Sequence, residues 1–321
     1  MRKDELQEMA IDLFGQLQIP YDERFAPYVE EGFWMHENLK DYVFDKGRIC
    51  RLNAKYGIFD NDMEMVLKSA EVIRADGAYS KLCYIIISFL RNRRPLRELK
   101  LVDNGEIAPE FVGLFAILYF VEEFVQNCRK RGIPQEVIKD TLRGINCIEH
   151  NQELTGHPGV RIYLNWLSLY IRGEIYHISG FSFQIVRRDD GEDVVSVHIP
   201  SGIDLSTENV MAAFVNAEKF FKAYFPEYRF TGLICQSWML NPKLEEIMGK
   251  KTKVSQFGDL FERYEVESFG KSVYRFVFNQ LTPVDPTLLN ENTSMQRAIK
   301  QYLLEGNLFK DYGGFRKWSE E

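Results

Sequence analysis

Cysteine is scarce in this sequence and follows no pattern. The five cysteines are an odd number at wide and irregular spacings: Cys50, Cys83, Cys128, Cys147 and Cys235. There is no CxxC pair and no matched Cys/His spacing, which argues against a disulfide framework and against a zinc site. We therefore expect reduced thiols, no metal site and a cytoplasmic protein.

The sequence also lacks a long apolar run and an excess of positive charge. Its most apolar stretch, residues 111–121, is shorter than the roughly 20 residues that span a bilayer. Glu122 and Glu123 follow it, so we interpret it as a buried helix. The formal net charge of −7 argues against a role in coating nucleic acid. The opening residues Met1–Glu5 lack the pattern of a signal peptide. We therefore expect that the protein binds neither a membrane nor nucleic acid.

The length of 321 residues allows two domains, each with its own core. Apolar residues recur at helical spacing through the first half, which predicts a helical N-terminal domain over residues 1–150. The loop at residues 151–159 contains Gly and Pro and marks the predicted boundary, so the second domain covers 151–321. His150 and His157 flank that loop in a non-helical stretch, which disfavours a shared metal ion.

An arginine cluster closes the apolar helix that ends near Leu90. It consists of Arg91, Arg93, Arg94 and Arg97. These side chains have the charge to hold an anion. The favoured interpretation is a solvated helix end, where positive charge suits the helix dipole.

The second half changes to the period of strands. Alternating stretches at 174–178, 181–186 and 194–199 predict three antiparallel strands, and Asp190-Gly191 between the last two is a hairpin signal. Later segments predict a short helix after Pro242, a pair of strands between 257 and 278, and a final helix that starts near Thr293. This order predicts an α+β fold with a mixed sheet flanked by helices.

Residues 194–242 are the part of the chain with the clearest functional pattern. They predict a strand, a polar turn over 200–206, an amphipathic helix and a second strand at 232–238. A strand–helix–strand unit of this length is a parallel crossover, so the turn and the end of the second strand lie at one edge of the sheet. Ser206 is a predicted N-cap, and backbone N–H groups at a helix start can bind phosphate.

The element order resembles that of the GNAT-type N-acyltransferases. The sequence is also similar to one bacterial subfamily, in which a helical N-acyltransferase N-terminal domain precedes a GNAT-like C-terminal domain. The similar blocks are Val197-His198-Ile199-Pro200-Ser201-Gly202, Phe220-Phe221 with Phe225-Pro226, Cys235-Gln236-Ser237-Trp238-Met239-Leu240-Asn241-Pro242, Val273-Tyr274-Arg275-Phe276-Val277-Phe278 and Thr293-Ser294-Met295-Gln296-Arg297-Ala298-Ile299.

The resemblance implies an N-acyltransferase that uses acetyl-CoA or another acyl-CoA as co-substrate. The implied cofactor-binding residues lie in and beside the polar turn: Ile199, Ser201, Gly202, Leu205 and Ser206. The sequence departs from the family pattern Gln/Arg-x-x-Gly-x-Gly/Ala, because the turn has one glycine, no basic residue and an acidic Asp204. It also has no tyrosine in the short helix after Trp238, where many family members keep a general acid. These departures give weight to an alternative, a non-catalytic ligand-binding or protein-interaction module on the same fold, although the N-acyltransferase remains the first prediction.

His198 and Ser237 are the predicted catalytic residues. Transfer to an amine requires a base for the amine proton and a donor for the CoA thiolate, and His198 titrates in a suitable range. A structural histidine bonded across the sheet explains His198 as well, and a cap on the strand end explains Ser237. Glu192 or Asp193 is an alternative base, although both are expected to be exposed turn residues.

A hydrolase is a further alternative. It requires an activated Ser or Cys, but Gln236-Ser237-Trp238 lacks the glycines of a nucleophile elbow. The apolar neighbours of Cys235 predict an inert thiol. Trp238 either lines an acyl tunnel or fills the core. The acceptor is expected to be a small-molecule amine or a peptide, and the sequence does not predict the oligomeric state.

Overall fold

The structure is a computed structural model that describes residues 2–18, 21–39, 41–59, 61–92, 110–146, 148–149 and 161–318. The described residues form two compact units. The first contains the residues up to 149 together with 161–175, and the second begins at Tyr176. The domain boundary at 150 stays a prediction, and its loop with His150 and His157 lies outside the described residues. Arg93, Arg94, Arg97 and Cys147 also lie outside them.

The first unit is helical, as the spacing of its apolar residues predicts. Its helices are α1 (Lys3–Gln16), α2 (Val29–Leu39), α3 (Lys46–Tyr56), α4 (Met63–Ala75), α5 (Gly77–Arg91), α6 (Glu110–Tyr119), α7 (Val121–Lys130), α8 (Gln135–Arg143) and α9 (Leu164–Ile171). A 3₁₀ segment covers Glu23–Tyr28, and the short strands β1 (Ile148–Glu149) and β2 (Arg161–Ile162) pair antiparallel.

Helix α5 lies at the centre of this unit, because nearly all of its side chains from Tyr79 onward are buried. Helix α2 approaches it so closely at Gly32 that a Cβ there would lie 2.6 Å from the Ile85 side chain. The apolar stretch after position 110 forms α6 and α7, which are separated at Phe120. Among the described residues, Phe111–Lys130 is the segment long and apolar enough to cross a membrane, and 72% of its most apolar window is buried. Such burial is typical of a core helix.

The second unit is a six-stranded mixed sheet with helices, which confirms the predicted α+β class. The strand order is β3-β4-β5-β6-β8-β7. The strands are β3 (Ile175–Ile178), β4 (Phe181–Arg187), β5 (Asp193–His198), β6 (Phe230–Ser237), β7 (Glu262–Glu265) and β8 (Tyr312–Lys317). The helices are α10 (Thr207–Tyr224), α11 (Lys243–Met248), α12 (Lys253–Gly258), α13 (Lys271–Phe278) and α14 (Ser294–Leu304), with 3₁₀ turns at Trp238–Leu240 and Pro286–Leu288.

The hairpin and the crossover are both confirmed. Strands β4 and β5 pair antiparallel, and Gly191 in the turn between them has a φ of +87° that favours glycine. Strands β5 and β6 pair parallel, with α10 between them. The apolar stripe of α10 packs on one face of the sheet, where the ring centroids of Phe183 and Phe214 are 6.5 Å apart. This crossover brings the turn after β5 and the end of β6 to the same edge.

The second strand predicted between 257 and 278, which follows the turn at 269–271, is wrong, because this segment belongs to helix α13. Its aromatic and β-branched residues match the composition of a strand. The buried positions instead follow helical spacing: Val273, Tyr274 and Phe278 are buried, whereas Phe276 is 65% exposed. A strand would place Phe276 on the same face as Tyr274 and Phe278. The core around Trp238 therefore determines the structure here and overrides local preference.

Strand β8 is absent from the sequence prediction, because two glycines lie within it. Glycine is disfavoured in strands unless another group must approach the backbone closely. That condition holds here: a Cβ on Gly313 would lie 2.2 Å from the ring of Tyr264, and one on Gly314 would lie 2.8 Å from Phe261. Strand β8 lies between β6 and β7 and completes the sheet beside the predicted site.

Candidate active site

Strands β5 and β6 separate before either of them ends. The last pair between them is Ser196 with Ile234. Strand β5 continues to His198, which pairs with Ser182 of β4, and β6 continues to Ser237, which pairs with Tyr312 of β8. The ladder between these parallel neighbours thus stops while each strand stays paired on its outer side. The result is a gap, lined by backbone groups, at the carboxyl ends of both strands, where open sheets favour ligands.

The turn after β5 leads from this gap into α10. Ser201 and Gly202 are exposed, and the φ of Gly202 is +78°. Ser206 is the N-cap residue, as predicted, but its hydroxyl donates to Asp204 Oδ2 at 2.8 Å and caps no helix N–H group. The first N–H groups of a helix have no acceptor within the helix. Those of α10 are therefore not satisfied by the cap side chain, and they can bind an anion.

Asp204, which has the wrong charge for a phosphate site, is paired within the structure. Its Oδ1 accepts from Lys253 Nζ at 2.6 Å. The pKa of Asp204 is lowered to about 2, chiefly by this hydrogen bond from Lys253 and next by the hydrogen bonds from Ser206. The cation that is missing from the turn itself thus comes from the start of α12, a helix far along the chain.

His198 lies on the sheet face opposite α10. Its Nε2 is 2.9 Å from Gln184 Oε1, a neighbour across the β4–β5 ladder. Because an amide oxygen only accepts, this contact fixes the tautomer with the proton on Nε2. Burial lowers the pKa of His198 to about 4, so the ring is neutral near pH 7. The cross-sheet bond matches the structural interpretation of this residue. A pKa of about 4 lies below the range that the sequence suggested, so the neutral ring is a weak base near pH 7.

Ser237 lies at the end of β6, where its Oγ accepts from the Met239 N–H at 3.1 Å. The side chain therefore caps the 3₁₀ turn, which was one of the two interpretations of the sequence. Alternation along the strands places Ser237 on the face of Cys235 and Val197, whereas His198 lies on the other face. The two predicted catalytic residues thus meet at one edge of the sheet but not on one face.

The remaining candidates have structural roles. Cys235 is buried, and burial raises the pKa of its thiol to about 12, which excludes a reactive thiolate near neutral pH. Trp238 is 4% exposed and belongs to the core formed with α13 and α14. Asp193 forms an ion pair with Arg187 at the far end of β5, away from the gap. Among the residues that the structure describes, no group of three His, Cys, Asp or Glu side chains is arranged for a metal ion.

Three residues near the site are absent from the sequence prediction. Gln184 and Lys253 contact predicted residues, but nothing in a single sequence distinguishes such long-range partners from other polar side chains. Tyr312 lies directly opposite Ser237, on the same face of the sheet. It could not be placed there because β8 was not predicted. It is a tyrosine at the edge of the gap, in a chain that lacks the usual one after Trp238.

A mixed sheet whose central parallel pair opens at its carboxyl end, next to a turn that starts a helix, defines a GNAT-like fold. Residues 149–316 match the model of the GNAT-like C-terminal domain family, and the chain belongs to that family. The predicted resemblance to a GNAT-like C-terminal domain is thereby confirmed. No relative was found among curated proteins.

Solved structures of acyltransferases share the fold over nearly the whole chain. One is an acyltransferase mutant in complex with octanoyl-CoA, with a TM-score of 0.78 and 21% identity. Another is an acyltransferase in complex with decanoyl-CoA and teicoplanin, with a TM-score of 0.79 and 21% identity. A third was solved with CoA and 10C-teicoplanin, with a TM-score of 0.78 and 21% identity. Each match covers 97% of this chain and 99% of the other. At this identity the likeness shows the fold.

Proposed function

We propose that the chain is an N-acyltransferase that moves the acyl group of an acyl-CoA to an amine of a small-molecule or peptide acceptor. The observation that carries the proposal is the end of the β5–β6 ladder at Ser196 and Ile234, while both strands continue. Backbone N–H and C=O groups that face a gap can pair with an extended ligand as a strand would. The pantetheine arm of CoA is such a ligand, because it is extended and contains amide groups.

The position of the polar turn over residues 200–206 supports the same ligand. The turn at Ser201 and Gly202 follows β5 directly, so it lies at the edge where the gap opens. A CoA molecule has an anionic nucleotide end and a thioester end joined by the pantetheine arm. The start of α10 suits the anionic nucleotide end, and the gap beside His198 and Ser237 suits the thioester end. Ile199 and Leu205 flank the turn and complete the proposed cofactor site.

The similar acyltransferases favour a donor with a medium-length acyl chain. Their structures contain octanoyl-CoA, decanoyl-CoA or CoA, and two of them contain teicoplanin or 10C-teicoplanin. The acyl-CoA is the part of that description which the gap and the turn of this chain support. The acceptor of this chain is proposed only as an amine.

In the proposed reaction the amine nitrogen attacks the thioester carbonyl, a C–N bond forms, and the C–S bond breaks. The neutral ring of His198 accepts the proton that the attacking nitrogen loses, and Gln184 holds the ring in one orientation. The Ser237 oxygen accepts from Met239, which leaves its own O–H to donate to the departing thiolate. The two residues lie at the same edge of the sheet but on opposite faces, so the proposal requires the thioester to pass between the two strands.

The test is release of CoA thiol from octanoyl-CoA in the presence of a panel of amines. Wild type is expected to release thiol only when an accepted amine is present. His198→Gln is expected to lower the rate by about 10²-fold, the lower end of the usual contribution of a general base, because a pKa of about 4 makes the ring a weak base. Its octanoyl-CoA affinity should be unchanged, which separates catalysis from binding. If octanoyl-, decanoyl- and acetyl-CoA all leave the melting temperature unchanged, the proposal is wrong, because saturating ligand at about 100 times its Kd adds roughly 2.7 kcal/mol of stability.

A second candidate function is a non-catalytic module on the same fold. It is favoured by Asp204, whose carboxylate lies in the turn where relatives of the GNAT type place a basic residue. This alternative predicts that acyl-CoA binds without transfer to any amine, and that His198→Gln changes neither affinity nor background hydrolysis.

A further inference from the structure

A lysine from a distant segment of the chain places positive charge beside the polar turn. Lys253 is the first residue of α12, and its Nζ donates to Asp204 Oδ1 at 2.6 Å. Asp204 lies in the middle of the turn, between Gly202 and the start of α10. The ammonium group of Lys253 is therefore held beside the turn by a residue of the turn itself. Both side chains are more than half exposed, so the ammonium is open to a ligand.

The segment that carries Lys253 is fixed by its own hydrogen bonds. Thr252 Oγ1 accepts from the Ser255 N–H at 3.2 Å, and Ser255 Oγ donates to the Gly249 carbonyl at 3.1 Å. Between these anchors lie Lys250 and Lys251, both exposed. Three lysines within four positions thus lie on an ordered loop, and one of them reaches the turn. This loop raises the local positive potential where an anionic ligand would arrive.

We propose that Lys253 binds the phosphate groups of the acyl-CoA, and that Asp204 positions it for this role. The inference rests on the proposed function. An ammonium group has three N–H donors, and the bond to Asp204 uses one of them. The other donors can reach phosphate oxygens next to the first N–H groups of α10. Lys253 would thus replace the basic residue that GNAT-type turns carry within the turn. Asp204 would hold the Lys253 ammonium group in place by accepting its hydrogen bond.

The electrostatics of the pair suit such a bridge. Asp204 is ionised throughout the neutral range, because the hydrogen bonds from Lys253 and Ser206 together lower its pKa to about 2. Asp204 also accepts from the N–H and the hydroxyl of Ser206, so its carboxylate stays hydrogen-bonded when Lys253 shifts toward a ligand. Exposed ion pairs of this kind contribute little to stability. A small reorientation of Lys253 on binding is therefore inexpensive.

The test is the affinity of the full chain for octanoyl-CoA, measured by calorimetry. Lys253→Met keeps the length of the side chain but removes the charge, and it is expected to weaken binding by roughly 10–100-fold, the usual effect of one hydrogen bond to a charged group. Lys253→Arg is expected to retain most of the affinity. The matched control is Lys222→Met, because Lys222 lies at the other end of α10, about 22 Å from its start, and pairs with Glu218. That variant should bind as wild type does.

Octanoyl-dephospho-CoA identifies the phosphate involved. An equal loss with both ligands in Lys253→Met assigns the contact to the pyrophosphate, and a loss confined to octanoyl-CoA assigns it to the 3′-phosphate; either result supports the proposal. Unchanged affinity of Lys253→Met for both ligands overturns it and leaves the proposed function intact. If wild type binds neither ligand, the proposed function fails and this inference fails with it.

Discussion

His198 connects the stability of the sheet to pH at the scale of a single residue. Its pKa is lowered from 6.5 to about 4 because burial disfavours the charged ring. The unfolded chain therefore binds a proton more readily than the folded chain does. The stability associated with the neutral ring is complete above pH 6.5, falls as the pH drops from 6.5 toward 4, and is constant below that.

We expect this residue to lower the free energy of unfolding by about 2 kcal/mol between about pH 7.5 and about pH 5. Glutamine at this position can bond to Gln184 but does not titrate, so His198→Gln should remove that part of the slope. The measurement is urea unfolding of wild type and variant at a series of pH values. Curves that stay parallel over this range would show that the ring is not buried as the structure has it.

Helix α13 provides a test at the scale of one element, because strand and helix predict different exposed residues. In the helix Phe276 is 65% exposed and Phe278 is 1% exposed. We expect Phe276→Ala to change the free energy of unfolding by less than about 0.5 kcal/mol, as surface changes do. Phe278→Ala should cost about 3–5 kcal/mol, because it opens a cavity in the core. Thermal or urea unfolding measures the loss of stability in each variant. Equal losses would contradict the helix and support the strand that the sequence predicts.

The elements that the sequence predicted correctly share a local signal. The β4–β5 hairpin is marked by Asp190-Gly191, and the crossover helix is marked by its apolar stripe and by Phe225-Pro226, which follow its last residue. Each of these signals acts through neighbouring residues. Their outcome therefore does not depend on where distant parts of the chain lie.

The elements that were missed depend on distant partners. Gly313 and Gly314 suit a strand only because Tyr264 and Phe261 pack against their backbone. The same holds at the site: the gap and turn follow from one local crossover, whereas Lys253 and Tyr312 reach it through tertiary structure. The sequence therefore predicts the backbone of this site, but it does not predict the distant side chains that complete it.

At the scale of the whole molecule, the central claim is that the second unit binds an acyl-CoA across the turn and the gap. Gly202 tests this claim because the turn is exposed and a Cβ there would meet nothing within 4 Å. Gly191 is a matched control: it is also exposed, has a similar positive φ and open surroundings, and lies in the hairpin turn at the opposite end of β5. Glutamate at either position costs similar backbone strain, but only Gly202→Glu places negative charge and bulk where phosphate is proposed to bind.

The most direct measurement is therefore a calorimetric titration of octanoyl-CoA into wild type, Gly202→Glu and Gly191→Glu. The proposed site predicts saturable binding to wild type, the same affinity within about twofold for Gly191→Glu, and a loss of at least about 100-fold for Gly202→Glu, which corresponds to about 2.7 kcal/mol. Equal affinity of all three proteins would contradict it, because the cofactor would then bind away from the turn after β5.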